Sequence, residues 1–310
     1  MSTVTQPLAV PRSGASAVAR DFSELIKVRV TSLIVMSAWC GFYFGAAKTG
    51  ISSVSFTLLH ALLGIGMVSG GTAAMNEVIE RDSDALMRRT QRRPLVTQSM
   101  SVSLATATAL FLIFGGAGYL ALATNVLTAA LSLATAAVYL LAYTPLKKVS
   151  PICTFVGAFP GAMPAVLGWT AVRGGLDWEA FVLFAIMFFW QFPHFHSIAL
   201  LYREDYERAG IRMLPVVERD GRSTARAILL YGAALLPTTL MPTLLGMSGI
   251  LYLIGASLLG LGLFYYCVRI WKQCLPVSSG ESKMLTRGLL KATVFYLPLL
   301  FALMMINSAA

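Results

Sequence analysis

Asn76, Glu80 and Asp84 recur at intervals of four in the stretch 76–95, NEVIERDSDALMRRTQRRPL. If the helix implied by the preceding apolar run continues through them, the three lie roughly on one face, with about 6 Å of rise between neighbours. Three oxygen-bearing side chains so placed suit a hard cation such as Mg²⁺, which proteins usually hold with a few carboxylates while substrate phosphates complete the shell. Arg81, Arg88, Arg89, Arg92 and Arg93 occupy the same stretch. Guanidinium groups pair bidentately with phosphate oxygens, so the cluster suits the phosphate side of the same substrate. The competing reading is a solvated positive loop that only fixes membrane orientation. The regular Asn/Glu/Asp spacing, ending in Arg-Thr-x-x-Arg-Pro-Leu, favours a site.

A second polar cluster, FWQFPHFHSIALLYREDYERAGIRMLP, spans 189–215. Glu204, Asp205 and Glu207 stand with Arg203, Arg208 and Arg212, and Tyr202 and Tyr206 are one helical turn apart. Carboxylates, bases and tyrosines together suit a second metal–phosphate contact beside an aromatic wall, against the alternative of a loop with compensating charges. His194 and His196 flank Phe195 just inside an apolar run, where a histidine is costly unless partnered. Two residues apart on a helix, they point about 200° away from each other, so both cannot face one cavity.

The elements that must position these clusters are membrane helices. The chain of 310 residues is 57% hydrophobic and only 12% charged, with mean hydropathy +0.72. Soluble domains carry about a quarter charged residues. Nine apolar runs of about 20 residues, long enough for a bilayer core of about 30 Å, start near Leu25, Val54, Ser101, Asn125, Ile152, Glu179, Ala225, Ser248 and Gly288. Residues 1–20 read as a short disordered polar tail and 21–310 as a single transmembrane domain. With nine crossings, every Lys and Arg but Lys48 and Arg173 falls on one side, which the basic bias makes cytoplasmic. The acids follow, except Asp177 and Glu179. The net charge of +10 thus belongs to membrane orientation and an anionic substrate, and nucleic acid is not an expected partner. Gly64, Gly66 and Ser69-Gly-Gly-Thr72 predict close helix packing, and Pro160, Pro164, Pro193, Pro237 and Pro242 predict kinks. Cys40, Cys153, Cys267 and Cys274 form no metal-ligand pattern and read as inert thiols.

The Asn76/Glu80/Asp84 set resembles the N-x-x-x-D-x-x-x-D signature of the UbiA-type membrane prenyltransferases, with Glu80 where that family usually has Asp. Arg89-Thr90 through Arg93-Pro94-Leu95 matches the same family. Trp190-Gln191-Phe192-Pro193-His194-Phe195 and Tyr202-Arg203-Glu204-Asp205-Tyr206 are similar to its haem-farnesylating members. The second Asp-rich motif of quinone-forming members is missing. The resemblance implies an all-α polytopic fold of nine helices around a central cavity, in the inner membrane, with the N-terminus and active site cytoplasmic. It implies farnesyl diphosphate and haem B as substrates, Mg²⁺ as cofactor, and a haem A synthase or terminal oxidase assembly downstream. Asn76, Glu80, Asp84, Arg89, Arg93 and Asp205 would serve the diphosphate chemistry. His194, Tyr202, Arg203 and Arg212 would hold the haem. The alternatives are a quinone or other aromatic prenyltransferase, a transporter of an anionic substrate, and a haem-binding scaffold without chemistry.

Overall fold

A computed structural model describes residues 14–218, 220–273 and 280–309. The first helix, α1 (Ala15–Leu25), is short and interfacial. The membrane helices are α2 (Val28–Ala47), α3 (Phe56–Asp84), α4 (Val102–Ala123), α5 (Val126–Ala137, continued by a π-helical turn Val138–Tyr143 and α6, Thr144–Leu146), α7 (Cys153–Arg173) and α8 (Trp178–Leu201). After the short α9 (Arg203–Arg208) and α10 (Leu214–Val217) come α11 (Arg222–Leu244), α12 (Ile250–Gln273) and α13 (Gly280–Ile306). Among the described residues, nine spans are long and apolar enough to cross a membrane, as the apolar runs predict. Ser55, Ser101 and Asn125 start three of them by accepting from the backbone N–H three residues on, at 3.3, 3.2 and 2.9 Å, satisfying donors that a helix start leaves orphaned.

Two boundaries differ instructively. The tail expected to be disordered over 1–20 is helical from Ala15, while residues 1–13 lie outside the described residues. Phe22 and Leu25, one turn apart, bury an apolar edge against Ala74, Leu95 and Met100, which fixes a helix too short and polar to register as an apolar run. The last span begins at Gly280 rather than near 288, because a polar turn, Glu281-Ser282-Lys283, extends the helix beyond the apolar run.

Two groups of helices share α2 and α7. One apolar cluster joins α2, α3, α4, α5 and α7, and a larger one joins α2, α7, α8, α11, α12 and α13. The seam between α2 and α7 is backbone against backbone. A Cβ on Gly41 would stand 1.8 Å from the Ala165 carbonyl oxygen, and one on Gly168 would stand 1.8 Å from that of Ala38. Lipid offers no hydrophobic drive between helices, so such close packing is what holds them together. Gly64 and Gly71 play this part between α3 and α4. All five prolines singled out lie inside helices. Cys40, Cys153 and Cys267 are buried free thiols, and Cys274 lies outside the described residues.

At the end opposite the cationic loops, Lys48 pairs with Glu179, tying the end of α2 to the start of α8. Arg173 meets Asp177 at 2.9 Å, and the Trp169 indole donates to the same carboxylate at 3.1 Å. The Arg173 hydrogen bond holds the Asp177 carboxyl below the usual carboxylate range.

Candidate active site at the polar end of α3

The helix after the second apolar run does not stop at Asn76 but continues to Asp84, so Asn76, Glu80 and Asp84 share one face of its last turns. Each is met by a cation. The Asn76 amide oxygen accepts from Lys27 Nζ at 3.2 Å, and its amide nitrogen donates to Thr144 Oγ1 at 3.2 Å. Glu80 pairs with Lys147 at 2.7 Å, and Asp84, 1% exposed, pairs with Arg93. The arginine-rich loop folds back over the helix end to do this: Thr90 Oγ1 donates to the Asp84 carbonyl at 2.8 Å, and Leu95 packs beneath α1. Lys27 occupies the junction of α1 and α2 with φ 48°, a left-handed backbone that a side-chain-bearing residue rarely adopts. Such strain recurs at functional sites. Burial of its ammonium, and after it the positive charges of Arg93 and Lys147, pull Lys27 down to about 8.

The wall opposite α3 is the widened turn of α5. Pro145 has no N–H to donate and would crowd the carbonyl four residues back, which a π-helical turn relieves. Thr144 Oγ1 donates to the Tyr139 carbonyl at 2.8 Å while accepting from Asn76. Tyr139 and Tyr143 pack with their rings tilted and their centroids 5.0 Å apart, and Lys147 Nζ lies 4.5 Å from the Tyr143 ring centroid. Gly157 on α7 makes room for that ring, since a Cβ there would come within 2.6 Å of it.

The second cluster, more than 100 residues later in the chain, meets the first. The Arg89 guanidinium lies over the rings of Tyr202 and Tyr206, 5.6 and 5.9 Å from their centroids. Asp205 pairs with Arg208, whose Nε donates to the Leu86 carbonyl at 3.4 Å. Met87, Ala199, Tyr206, Ala209 and Ile211 form the small apolar core beneath. Burial pushes the Tyr206 phenol up, keeping it protonated. Arg212 is a brace between loops: its backbone N–H donates to the Lys147 carbonyl at 2.7 Å and its guanidinium to that of Val149 at 3.3 Å. Arg203 has no ion-pair or hydrogen-bond partner among the described residues. His194 is not gathered with these groups. Its ring stacks on Trp190 at 4.8 Å and its Nδ1 meets Thr293 Oγ1 of α13 at 2.9 Å. His196 is buried and bonds the Phe192 carbonyl through Nδ1 at 2.8 Å, so the two rings do face different ways.

Lys27, Lys147, Tyr139, Tyr143 and Glu77 are the site residues that sequence reasoning missed. Glu77, 0% exposed, has no hydrogen-bond partner for either carboxylate oxygen; the Leu95 amide approaches without completing a bond. A carboxylate beside Asn76 in an apolar helix was itself a signal, because such a group is costly in a membrane without a task. Three carboxylates thus share the site with three cations. The oxygen-only donor set fits Mg²⁺ in kind. No three carboxylate, imidazole or thiol groups among the described residues converge to hold a metal by themselves; Mg²⁺ characteristically takes part of its shell from substrate phosphates and water.

The model of the UbiA prenyltransferase family matches residues 34–286. The chain belongs to the UbiA prenyltransferase family. Similar relatives include the protoheme IX farnesyltransferase of Koribacter versatilis, 66% identical over 307 residues and 99% of each chain. That of Solibacter usitatus is 47% identical over 294 residues, 93% of this chain and 98% of the relative. A structure of digeranylgeranylglyceryl phosphate synthase superposes with TM-score 0.75 at 16% identity, over 93% of this chain and 98% of that one. A UbiA homologue from Archaeoglobus fulgidus bound to DMAPP and Mg²⁺ superposes with TM-score 0.60 at 18% identity, over 92% and 99%. At such identity the likeness is one of fold: the all-helical UbiA prenyltransferase architecture with its membrane spans.

Proposed function

We propose that this UbiA-family enzyme transfers the farnesyl group of farnesyl diphosphate to a vinyl group of haem B, giving haem O. The observation that carries the reading is the buried cluster of paired charges at the end of α3, in a chain 66% identical to a protoheme IX farnesyltransferase. Asn76, Glu80 and Asp84 would hold Mg²⁺, which supplies positive charge to the diphosphate; the Mg²⁺-bound family neighbour supports this. Lys27, Lys147 and Arg93 turn from the acids toward the diphosphate oxygens and stabilise the charge that develops as the allylic C–O bond breaks. The diphosphate leaves with the bonding electron pair. Apolar and aromatic walls keep bulk water from the farnesyl cation, whose charge suits the faces of rings such as Tyr139 and Tyr143. The vinyl π electrons form the new C–C bond, and water adds to the resulting cation with loss of a proton, leaving a hydroxyethylfarnesyl side chain.

Incubating purified protein with haem B, farnesyl diphosphate and Mg²⁺ should give a haem heavier by one farnesyl group plus one hydroxyl. Unchanged haem, with farnesyl attached to another aromatic acceptor, would reject the reading.

Tyr202, Arg203, Arg212 and His194 are assigned to haem, and Asp205 and Arg89 to the diphosphate side. His194 keeps Nε2 for a ligand while Thr293 holds Nδ1. Neutral imidazole suits iron and imidazolium suits a propionate. His194→Ala should lose haem O formation while His196→Ala keeps most of it, read as haem O yield at matched membrane expression beside a haem-binding spectrum. A larger loss for His196→Ala would reverse the assignment.

The enzyme is placed in the inner membrane with the site and N-terminus cytoplasmic, passing haem O to a haem A synthase or terminal oxidase assembly. Single cysteines at Ser13 and Ser308 should label from opposite faces. Labelling from one face would show that the helix count is wrong by an odd number.

A further inference from the structure

We propose that the hollow between the loop-side ends of α11 and α12 binds the headgroup of an anionic phospholipid. The hollow, about 470 Å³, is lined by Arg222, Ala225, Arg226, Trp271 and Lys272, none of which belongs to the site at the end of α3. Arg222 and Arg226 are one turn apart on α11, and Lys272 reaches the same space from α12. Three cations converging from two helices repel one another unless an anion joins them. The protein offers little compensation. Arg222 Nε lies 3.7 Å from Asp220, but both side chains are largely exposed, so the pair is weak. Arg226 and Lys272 have no ion-pair or hydrogen-bond partner among the described residues.

What lies deeper points to a lipid rather than a free anion. One turn below Arg226, Leu230 is 60% exposed, and along α12 below Lys272 the exposed side chains are Tyr265, Leu261 and Leu258. Arg269 extends along this face toward the Tyr265 hydroxyl, 3.5 Å away. Cations above apolar side chains, with a tryptophan at the boundary, match the order of a phospholipid: phosphate, glycerol, acyl chain. Basic pockets between helix ends recognise anionic headgroups in this way. Charges serving orientation alone would need no shared hollow.

The test uses the full chain in nanodiscs of phosphatidylcholine with a minor share of phosphatidylglycerol, and counts retained lipid by native mass spectrometry. Wild type should retain phosphatidylglycerol in clear excess over its share. The triple variant Arg222→Gln/Arg226→Gln/Lys272→Gln should lose it about tenfold or more, and Arg226→Gln alone, a single exposed change, about fivefold. Millimolar inorganic diphosphate should not displace the lipid. Equal retention of the two lipids by wild type would overturn the proposal. So would undiminished phosphatidylglycerol on variants that keep the wild-type melting temperature. Displacement by diphosphate would assign the hollow to a free phosphate ligand instead.

Discussion

Asp84→Ala should lower turnover by roughly a hundred- to a thousandfold while the protein still inserts and folds. The carboxylate is buried and stands against Arg93, so alanine removes a proposed oxygen ligand and leaves a guanidinium without its counter-charge. Breaking such a pair from one side costs about 3–5 kcal/mol where the remaining charge stays buried. Arg93 is partly exposed and can turn toward water, which reduces that cost. The measurement is haem O formed per folded enzyme across a Mg²⁺ titration. Normal turnover at limiting Mg²⁺ would remove Asp84 from the metal site. Asn76→Ala should lose a comparable factor, because it frees Lys27 and Thr144 together. Glu80→Asp should keep activity: the charge remains opposite Lys147, and only one methylene of reach is lost.

Gly168→Leu should be the most damaging single change away from the site. The added Cβ alone would fall 1.8 Å from the Ala38 carbonyl oxygen, a backbone atom that cannot rotate away, so α2 and α7 must separate. Overpacking a core costs about 1–3 kcal/mol where side chains can adjust, and here they cannot. The expected result is a protein that is poorly recovered from membranes and melts well below wild type. Gly262→Ala is the matched control. A Cβ at Gly262 meets nothing within 4 Å, and alanine in a helix is better than glycine by about 0.5–1 kcal/mol. If both variants melt like wild type, the seam is looser than its backbone contacts imply.

Legibility of the site followed the range of the interactions. Apolar runs mark the spans because each is a local property of about 20 residues, and the Asn76/Glu80/Asp84 spacing is legible because one helix carries all three. The cations that complete the site lie elsewhere: Lys27 is 49 residues before Asn76, and Lys147 is 67 after Glu80. In the sequence each reads as one more basic residue beside a membrane helix. The widened turn of α5 was also hidden, since Thr144-Pro145 looks like a helix end and not like a helix that continues with a looser turn. His194 shows the opposite failure. Its position after Pro193 was legible, but its partner, Thr293, sits on the last helix and could not be read from local pattern.

The two ion pairs at the far end of the bundle bear on how the chain enters the membrane. In the proposed orientation Lys48, Arg173, Asp177 and Glu179 are the only charged residues carried across the bilayer, and they sum to zero. Moving one elementary charge through a membrane potential involves about 2.3 kcal/mol per 100 mV. A neutral set involves no net electrical work, so insertion of this chain should be insensitive to whether the membrane is energised. The whole net charge of +10 stays on the side toward which an inside-negative potential already pulls it.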